Sequence, residues 1–199
     1  MLPNPVAYLT HRNGSEPVLP DGKAYGYVLA GNGVFKVAQS RYIAARIPLV
    51  TVRIAGLEPL QYCVGPLFGR VPERVLSQAL ADARRQSWDG PNEAMYHIVI
   101  RDNIIRVLRP PQQASAGHLA YTGGDGTDVI CDLHSHHEMG AFFSSTDDRD
   151  EMGFRFYAVI GKIFTRPEMA LRVGVYGDTF RVPITTLFTG LGPFREVVR

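Results

Sequence analysis

The sequence predicts an α+β fold, and three observations predict it. One strongly amphipathic helical stretch stands near the middle of the chain, β-like runs lie on both sides of it, and a short acidic helix follows Ser144. Residues 1–70 are rich in Gly and Pro and in short β-like runs. Ala24 to Ala30 and Val34 to Ala38 flank Gly31-Asn32-Gly33, whose residues accept positive φ and suit a hairpin turn. Leu49 to Ile54, with its β-branched residues, is a third expected strand. This portion carries no ionisable cluster that resembles a site, and is expected to be an N-terminal β-rich module or an extension packed on the rest of the chain. The remainder, 71–199, is expected to form the functional domain.

Val71-Pro72-Glu73 opens the helix, which is expected to run to about Gln86. Proline suits a first helical turn, where its missing N–H is no loss, and a glutamate favours the positive helix N-terminus. Val75, Leu76, Ala79, Leu80 and Ala83 recur at three- and four-residue spacing and make one apolar stripe that needs a sheet to pack on. Arg84 and Arg85 complement the C-terminal end, and Trp88-Asp89-Gly90-Pro91 stops the helix. Met95 to Ile100 and Ile104 to Leu108 read as strands joined at Arg101-Asp102-Asn103. Pro110-Pro111 and Gly123-Gly124-Asp125-Gly126 bracket a long loop. Further strands are expected at Arg155 to Gly161, Ala170 to Tyr176 and Thr179 to Val182, with Gly177-Asp178 turning between the last two.

Composition excludes several classes. With 199 residues, 45% apolar and 20% charged, the chain can bury a good core. A formal net charge of +2 with no Lys/Arg run argues against nucleic acid as a partner. Cys63 and Cys131 are too few and too far apart for a disulfide framework, which points to a reducing cytoplasm; a bridge between them is the less favoured reading. The start, Met1-Leu2-Pro3-Asn4-Pro5, has no basic leader with an apolar core, and no apolar run approaches the roughly 20 residues a membrane helix needs. The expectation is a soluble, unexported protein.

The chemistry is concentrated in Cys131 to Asp148. His134 and His136 are two apart at the end of the apolar run Val129, Ile130, Leu133, so both imidazoles reach one side of a strand end. Asp147, eleven residues later, can return as a third ligand. Two imidazoles and one carboxylate suit Zn²⁺, and three protein ligands leave a fourth position for water, which is the arrangement of a catalytic site. Asp148 and Asp150 are expected to be helix N-terminal charges, with a slip of the ligand to Asp148 the less favoured reading. His137 is expected to be a bystander, Cys131 a small buried hydrophobe, and Phe142 and Phe143 core residues, with walls of a substrate groove the less favoured reading. His11, His97 and His118 show no recognisable partner in the sequence. The two-histidine HExxH helix is excluded because position 141 is Ala, and the zinc deaminase pattern because His134-Ser135-His136 lacks its glutamate.

His134, His136, Ser144 and Asp147 meet, without a gap, the pattern His-x-His, seven residues, Ser, two residues, Asp. That pattern resembles the JAMM (MPN-plus, JAB-domain) zinc metalloprotease motif, and the resemblance extends loosely over residues 72 to 185. It implies a deaminase-like mixed sheet flanked by helices, and an upstream glutamate at a strand start, a description that Glu93 in Gly90-Pro91-Asn92-Glu93 answers. It implies further that Zn²⁺ is held by His134, His136 and Asp147, that Glu93 is the general base, and that Ser144 donates to the oxyanion of the tetrahedral intermediate. The implied reaction is hydrolysis of a peptide or isopeptide bond at the C-terminal tail of a ubiquitin-like protein. A looser resemblance to the branch of this family found in the bacterial PRTRC cassette implies a ubiquitin-activating-type enzyme as a second partner. Two other classes stand beside this reading: a catalytically silent scaffold, and a zinc hydrolase of short peptides or sulfur-carrier conjugates.

Overall fold

The computed structural model describes residues 5–88, 93–115, 118–121, 126 and 128–197. The expected Gly90-Pro91-Asn92 turn, the helix stop after Trp88, and most of the Gly123–Gly126 segment lie outside these residues, as does the side chain of His118.

The first sheet has five strands in sequential order: β1 (Val6–Thr10), β2 (Tyr25–Ala30), β3 (Gly33–Gln39), β4 (Ile43–Thr51) and β5 (Cys63–Pro66). The β2/β3 hairpin forms where the Gly-Asn-Gly turn predicts it, with Ala30 paired to Gly33. The expected Leu49–Ile54 strand is displaced: β4 begins six residues earlier and ends at Thr51. Its register is carried by Ile43, Ala45 and Ile47, which alternate into the core. Pro48 falls where pairing with β3 slips between Val34 and Phe35, a bulge position that tolerates a residue without an N–H.

Helix α1 (Arg74–Gln86) buries Val75, Leu76, Ala79, Leu80 and Ala83, the full predicted stripe. Pro72 stands one residue before the N-cap Glu73, outside the first turn, and its carbonyl accepts from Val75 N–H. The stripe packs on β6 (Met95–Arg101), β7 (Ile104–Leu108) and their neighbours, in one buried cluster that also holds Ala38, Ile43, Ala45 and Ile47 of the first sheet. Asp102 and Asn103 between β6 and β7 have φ of 52° and 60°, the left-handed pair that a two-residue hairpin turn demands. The expected long loop contains a small hairpin, β8 (Gln112–Ser115) with β9 (His118–Tyr121).

The remaining elements are β10 (Val129–Ser135), α2 (Ser145–Asp150), β11 (Phe154–Gly161), β12 (Glu168–Val175), β13 (Asp178–Arg181) and the short β14 (Arg195–Glu196). The second sheet has the order β13-β12-β11-β10-β6-β7, with β14 alongside β12. All of its main-path pairings are antiparallel except β10 with β11. Parallel neighbours cannot be joined by a tight hairpin, so the chain leaving β10 must cross over before entering β11. Residues 136–153, including α2, are that crossover. The two sheets are tied by Lys36 of β3, 2% exposed, whose Nζ donates to the Tyr176 carbonyl at 2.7 Å and Asp178 Oδ2 at 2.8 Å. Its ammonium also stands 4.4 Å from the centre of the Tyr25 ring.

Candidate metal centre

Strand alternation sorts the second sheet into two faces. Cys131 and Leu133 of β10, with Tyr96 and Ile98 of β6, face the α1 core. The two cysteines stay apart, as expected: Cys131 is fully buried, and Cys63 is exposed and free. Asp132 and His134 point the other way. Cross-strand register then places Met95 and Val159 beside His134, and His97 and Tyr157 beside Asp132.

His136 follows the last residue of β10, and its backbone is sewn to the end of β11 by His136 N–H to the Ile160 carbonyl at 2.7 Å. The crossover loop lies against the same strand end, since Lys162 N–H donates to Met139 O and Ile163 N–H to His137 O. Gly161 makes this approach possible. A Cβ there would stand 2.3 Å from Met139 O and 2.6 Å from Ala141 N.

The ligand atoms of His134, His136 and Asp147 lie within 4.8 Å of one another, the group of three among the described residues that converges in this way. His134 Nε2 is 3.1 Å from His136 Nε2 and 3.5 Å from Asp147 Oδ1. Tetrahedral ligands about 2.0–2.1 Å from a zinc ion stand about 3.3–3.4 Å apart, so both separations match edges of a zinc tetrahedron. The donors also suit the ion chemically. His136 Nδ1 lies 3.3 Å from the Gly140 carbonyl, which assigns the ring proton to Nδ1 and leaves a lone pair on Nε2. With His136 Nε2 bare, His134 Nε2 can donate its proton to it across this distance, and loss of that proton would leave both nitrogens free to share a cation.

Burial, the largest influence, lowers the pKa of His134 to about 4, with the nearby His136 adding to it and Asp147 opposing. Burial lowers His136 as well. Desolvation works against the Asp147 carboxylate, but His134, the Ser144 backbone and hydroxyl, and His136 outweigh it and hold its pKa below the ordinary value. At neutral pH all three groups are therefore in the forms that bind metal.

Ser144 and Asp147 form a reciprocal capping box at the start of α2. Ser144 Oγ accepts from Asp147 N–H at 3.2 Å, and Asp147 Oδ2 accepts from Ser144 N–H at 2.5 Å. One carboxylate oxygen is thus fixed by the cap, which aims Oδ1 at His134. The Ser144 hydroxyl accepts from Asp147 N–H in the cap, and its own proton stands near the Asp147 carboxylate, whose pKa it helps to lower.

Glu93 precedes Ala94, whose backbone N–H donates to Ser135 Oγ and whose carbonyl accepts from Ser135 N–H, both at 3.0 Å. Continuing the Met95–His134 pairing sets residue 93 opposite residue 136, and alternation gives it the face of Met95 and His134. The converging triad of ligand atoms does not include its carboxylate.

Just over half of the chain, residues 72–174, matches the family of prokaryotic homologs of the JAB domain. The chain belongs to that family. A comparison with curated proteins finds no match. The JAB match begins at Pro72 before α1 and ends in β12, so it covers the helix, the central strands and Glu93, His134, His136, Ser144 and Asp147.

Several details of this JAB domain and of the strands before it bear on the sequence-based expectations. His97 is buried and its Nδ1 lies 2.6 Å from Asp132 Oδ1, while Arg155 donates to Asp132 Oδ2 at 3.0 Å. His11 Nδ1 lies 3.0 Å from the Ser15 carbonyl. Phe142 is exposed and stands edge-on to the His136 ring at 4.6 Å, walling the site instead of filling the core; Phe143 is half-buried beside Ala141, Val159 and Ala170. Asp148 lies in the first turn of α2, as expected of a helix N-terminal charge, and pairs with Arg172, whereas Asp150 is the last residue of the helix and not an N-terminal charge. Arg172 and the Gly140 carbonyl carry no signal in the sequence, because their partners are set by packing; the capping box is legible as Ser-x-x-Asp before the acidic helix. No helix among the described residues is long and apolar enough to cross a membrane.

Proposed function

We propose that this chain is a zinc-dependent peptidase of the JAMM type, which hydrolyses an amide bond at the C-terminal tail of a ubiquitin-like protein. The observation that carries the reading is the convergence of His134, His136 and Asp147 at zinc-tetrahedron spacing with a fourth position left over. When held by these three residues, zinc supplies Lewis acidity, polarising a carbonyl and lowering the pKa of water toward 7. In this reading Glu93 takes a proton from the attacking water as the water oxygen bonds to the scissile carbon, and delivers it to the amine as the C–N bond breaks. The Ser144 hydroxyl donates to the carbonyl oxygen as it gains negative charge. Asp147 holds Ser144 through the cap, so ligand and oxyanion donor keep a fixed relation. Phe142 gives the site an apolar wall against which a substrate backbone can lie.

The partners proposed are a ubiquitin-like protein and, on the PRTRC resemblance, a ubiquitin-activating-type enzyme, acting in the cytoplasm. The test is cleavage of ubiquitin-like fusions by the wild-type chain and by Glu93→Gln, each with its zinc content measured. Cleavage by wild type alone, with both proteins holding zinc, supports the proposal. Zinc-loaded wild type that cuts neither folded fusions nor short peptides contradicts it and favours a silent scaffold; cleavage of short peptides alone favours the small-substrate hydrolase.

A further inference from the structure

Helix α2 carries one of the three proposed ligands, yet it has six residues and none of them is buried. A helix this short is marginal by itself, and without an apolar face it gains nothing from the core. Phe143, just before the N-cap, packs beside Val159 and Ala170, but within α2 itself only polar groups are left to hold Asp147 at the imidazoles. The capping box fixes the carboxylate relative to the start of α2, but it is internal to the crossover and does not attach the helix to the sheet.

The attachment is made by Arg172 of β12. Register places it on the site face, in the row that runs from His97 through Asp132 and Tyr157 to Arg172 and Arg181. It is 4% exposed. Its Nη1 donates to Asp148 Oδ1 at 2.5 Å and its Nε to Glu151 Oε2 at 2.6 Å, so the two acceptors straddle the stretch just past Asp147, one residue after it and four after it. Glu151 is also the C-cap of α2. The Phe143 ring, just before the N-cap, lies over the same guanidinium at 3.9 Å. One rigid planar group thus touches the crossover before the helix, inside it and at its end.

We infer that Arg172 is a positioning residue for the metal centre: it clamps α2 to β12 through Asp148 and Glu151 and so holds Asp147 Oδ1 in place for the ion. This rests on the zinc reading of the site. It also makes a prediction opposite in sign to that of charge alone. A cation near a metal site repels the metal, so removing it should strengthen zinc binding if Arg172 acted only through its field. Loss of the clamp should weaken it, by about 10- to 100-fold, as for other groups that orient metal ligands.

The experiment is competition for zinc between a chromophoric chelator and the full-length metal-free chain, in wild type, Arg172→Gln and Arg172→Lys, with circular dichroism to establish that each is folded. The expected order of affinity is wild type, then Lys, then Gln, because lysine keeps the charge but cannot span both carboxylates. Should the Gln protein fail to fold, the Lys protein still decides: its charge is unchanged, so weakened binding can come only from the lost fork. Folded variants that bind zinc as tightly as wild type, or more tightly, overturn the clamp. A wild-type chain that takes up no zinc overturns the hydrolase reading, and the clamp with it.

Discussion

Ser144 holds two jobs that a pair of substitutions can separate. Its hydroxyl caps α2 through a 3.2 Å bond from Asp147 N–H, and its proton is the proposed donor to the oxyanion. Ser144→Ala removes both, whereas Ser144→Gly removes the hydroxyl at a far smaller capping cost, since Gly serves as an N-cap almost as well as Ser. The Ala protein should lose about 1 kcal/mol of stability in urea unfolding, which for a chain of this size corresponds to a melting shift of about 2–4 °C. The Gly protein should lose only a few tenths. Both should lose about 10²–10³ in kcat against a ubiquitin-like fusion, because the oxyanion donor is gone from each. The Ser144 N–H to Asp147 Oδ2 bond is backbone to carboxylate and survives in both, so zinc affinity should fall little. A Ser144→Gly protein with wild-type kcat would refute the oxyanion role. Losses of kcat that track stability or zinc content would reduce Ser144 to a cap.

Three further outcomes rest on the same geometry. Glu93→Gln should keep its zinc while kcat falls by about 10²–10⁴, the usual weight of a general base; loss of zinc instead would make Glu93 a ligand. Gly161→Ala forces a Cβ to within 2.3 Å of the Met139 carbonyl, so the crossover loop must retreat; zinc affinity should fall although the residue lies outside the ligand set, and unchanged affinity would contradict the packing described. The metal-free protein should lose stability in acid. His134 has a folded-state pKa near 4 against 6.5 unfolded, so between those values the unfolded chain binds a proton that the folded chain refuses. Asp147, held below its ordinary value, works in the same direction as pH falls through its folded pKa. Urea unfolding should show stability falling from pH 7 to pH 4, a dependence that His134→Gln reduces; an unchanged slope in that variant would refute it.

Much of the fold is legible where side-chain period and turn chemistry agree. The α1 stripe, the β2/β3 and β6/β7 hairpins and β10 to β13 can be read from spacing and from residues that tolerate positive φ. β1 and β5 are hidden because each is short, and they are strands by virtue of neighbours already in place. The β8/β9 hairpin sits inside a segment that Pro and Gly mark as loop. The start of β4 is obscured because Ala44, Ala45 and Arg46 dilute its β-branched pattern, while alternation of burial, invisible in sequence, sets its true extent.

The ligand set is readable because it is local in two pieces: His-x-His obeys the period of a strand, and Ser-x-x-Asp obeys that of a helix start. What joins the pieces is not. Arg172 meets Asp148 and Glu151 across separations of 24 and 21 residues, and His97 meets Asp132 across 35, through register alone. The sequence leaves Phe142 between core and site wall, favouring core, because hydrophobicity does not distinguish a buried ring from one that walls a polar site.

The most direct measurement is zinc content by elemental analysis of the wild-type and His136→Ala proteins, purified side by side and dialysed with the same modest excess of zinc. The wild-type chain should retain one equivalent and the variant close to none, with both folded by circular dichroism. A folded wild-type protein that retains no zinc, or a variant that retains as much as wild type, would contradict the claim that His134, His136 and Asp147 form a metal centre.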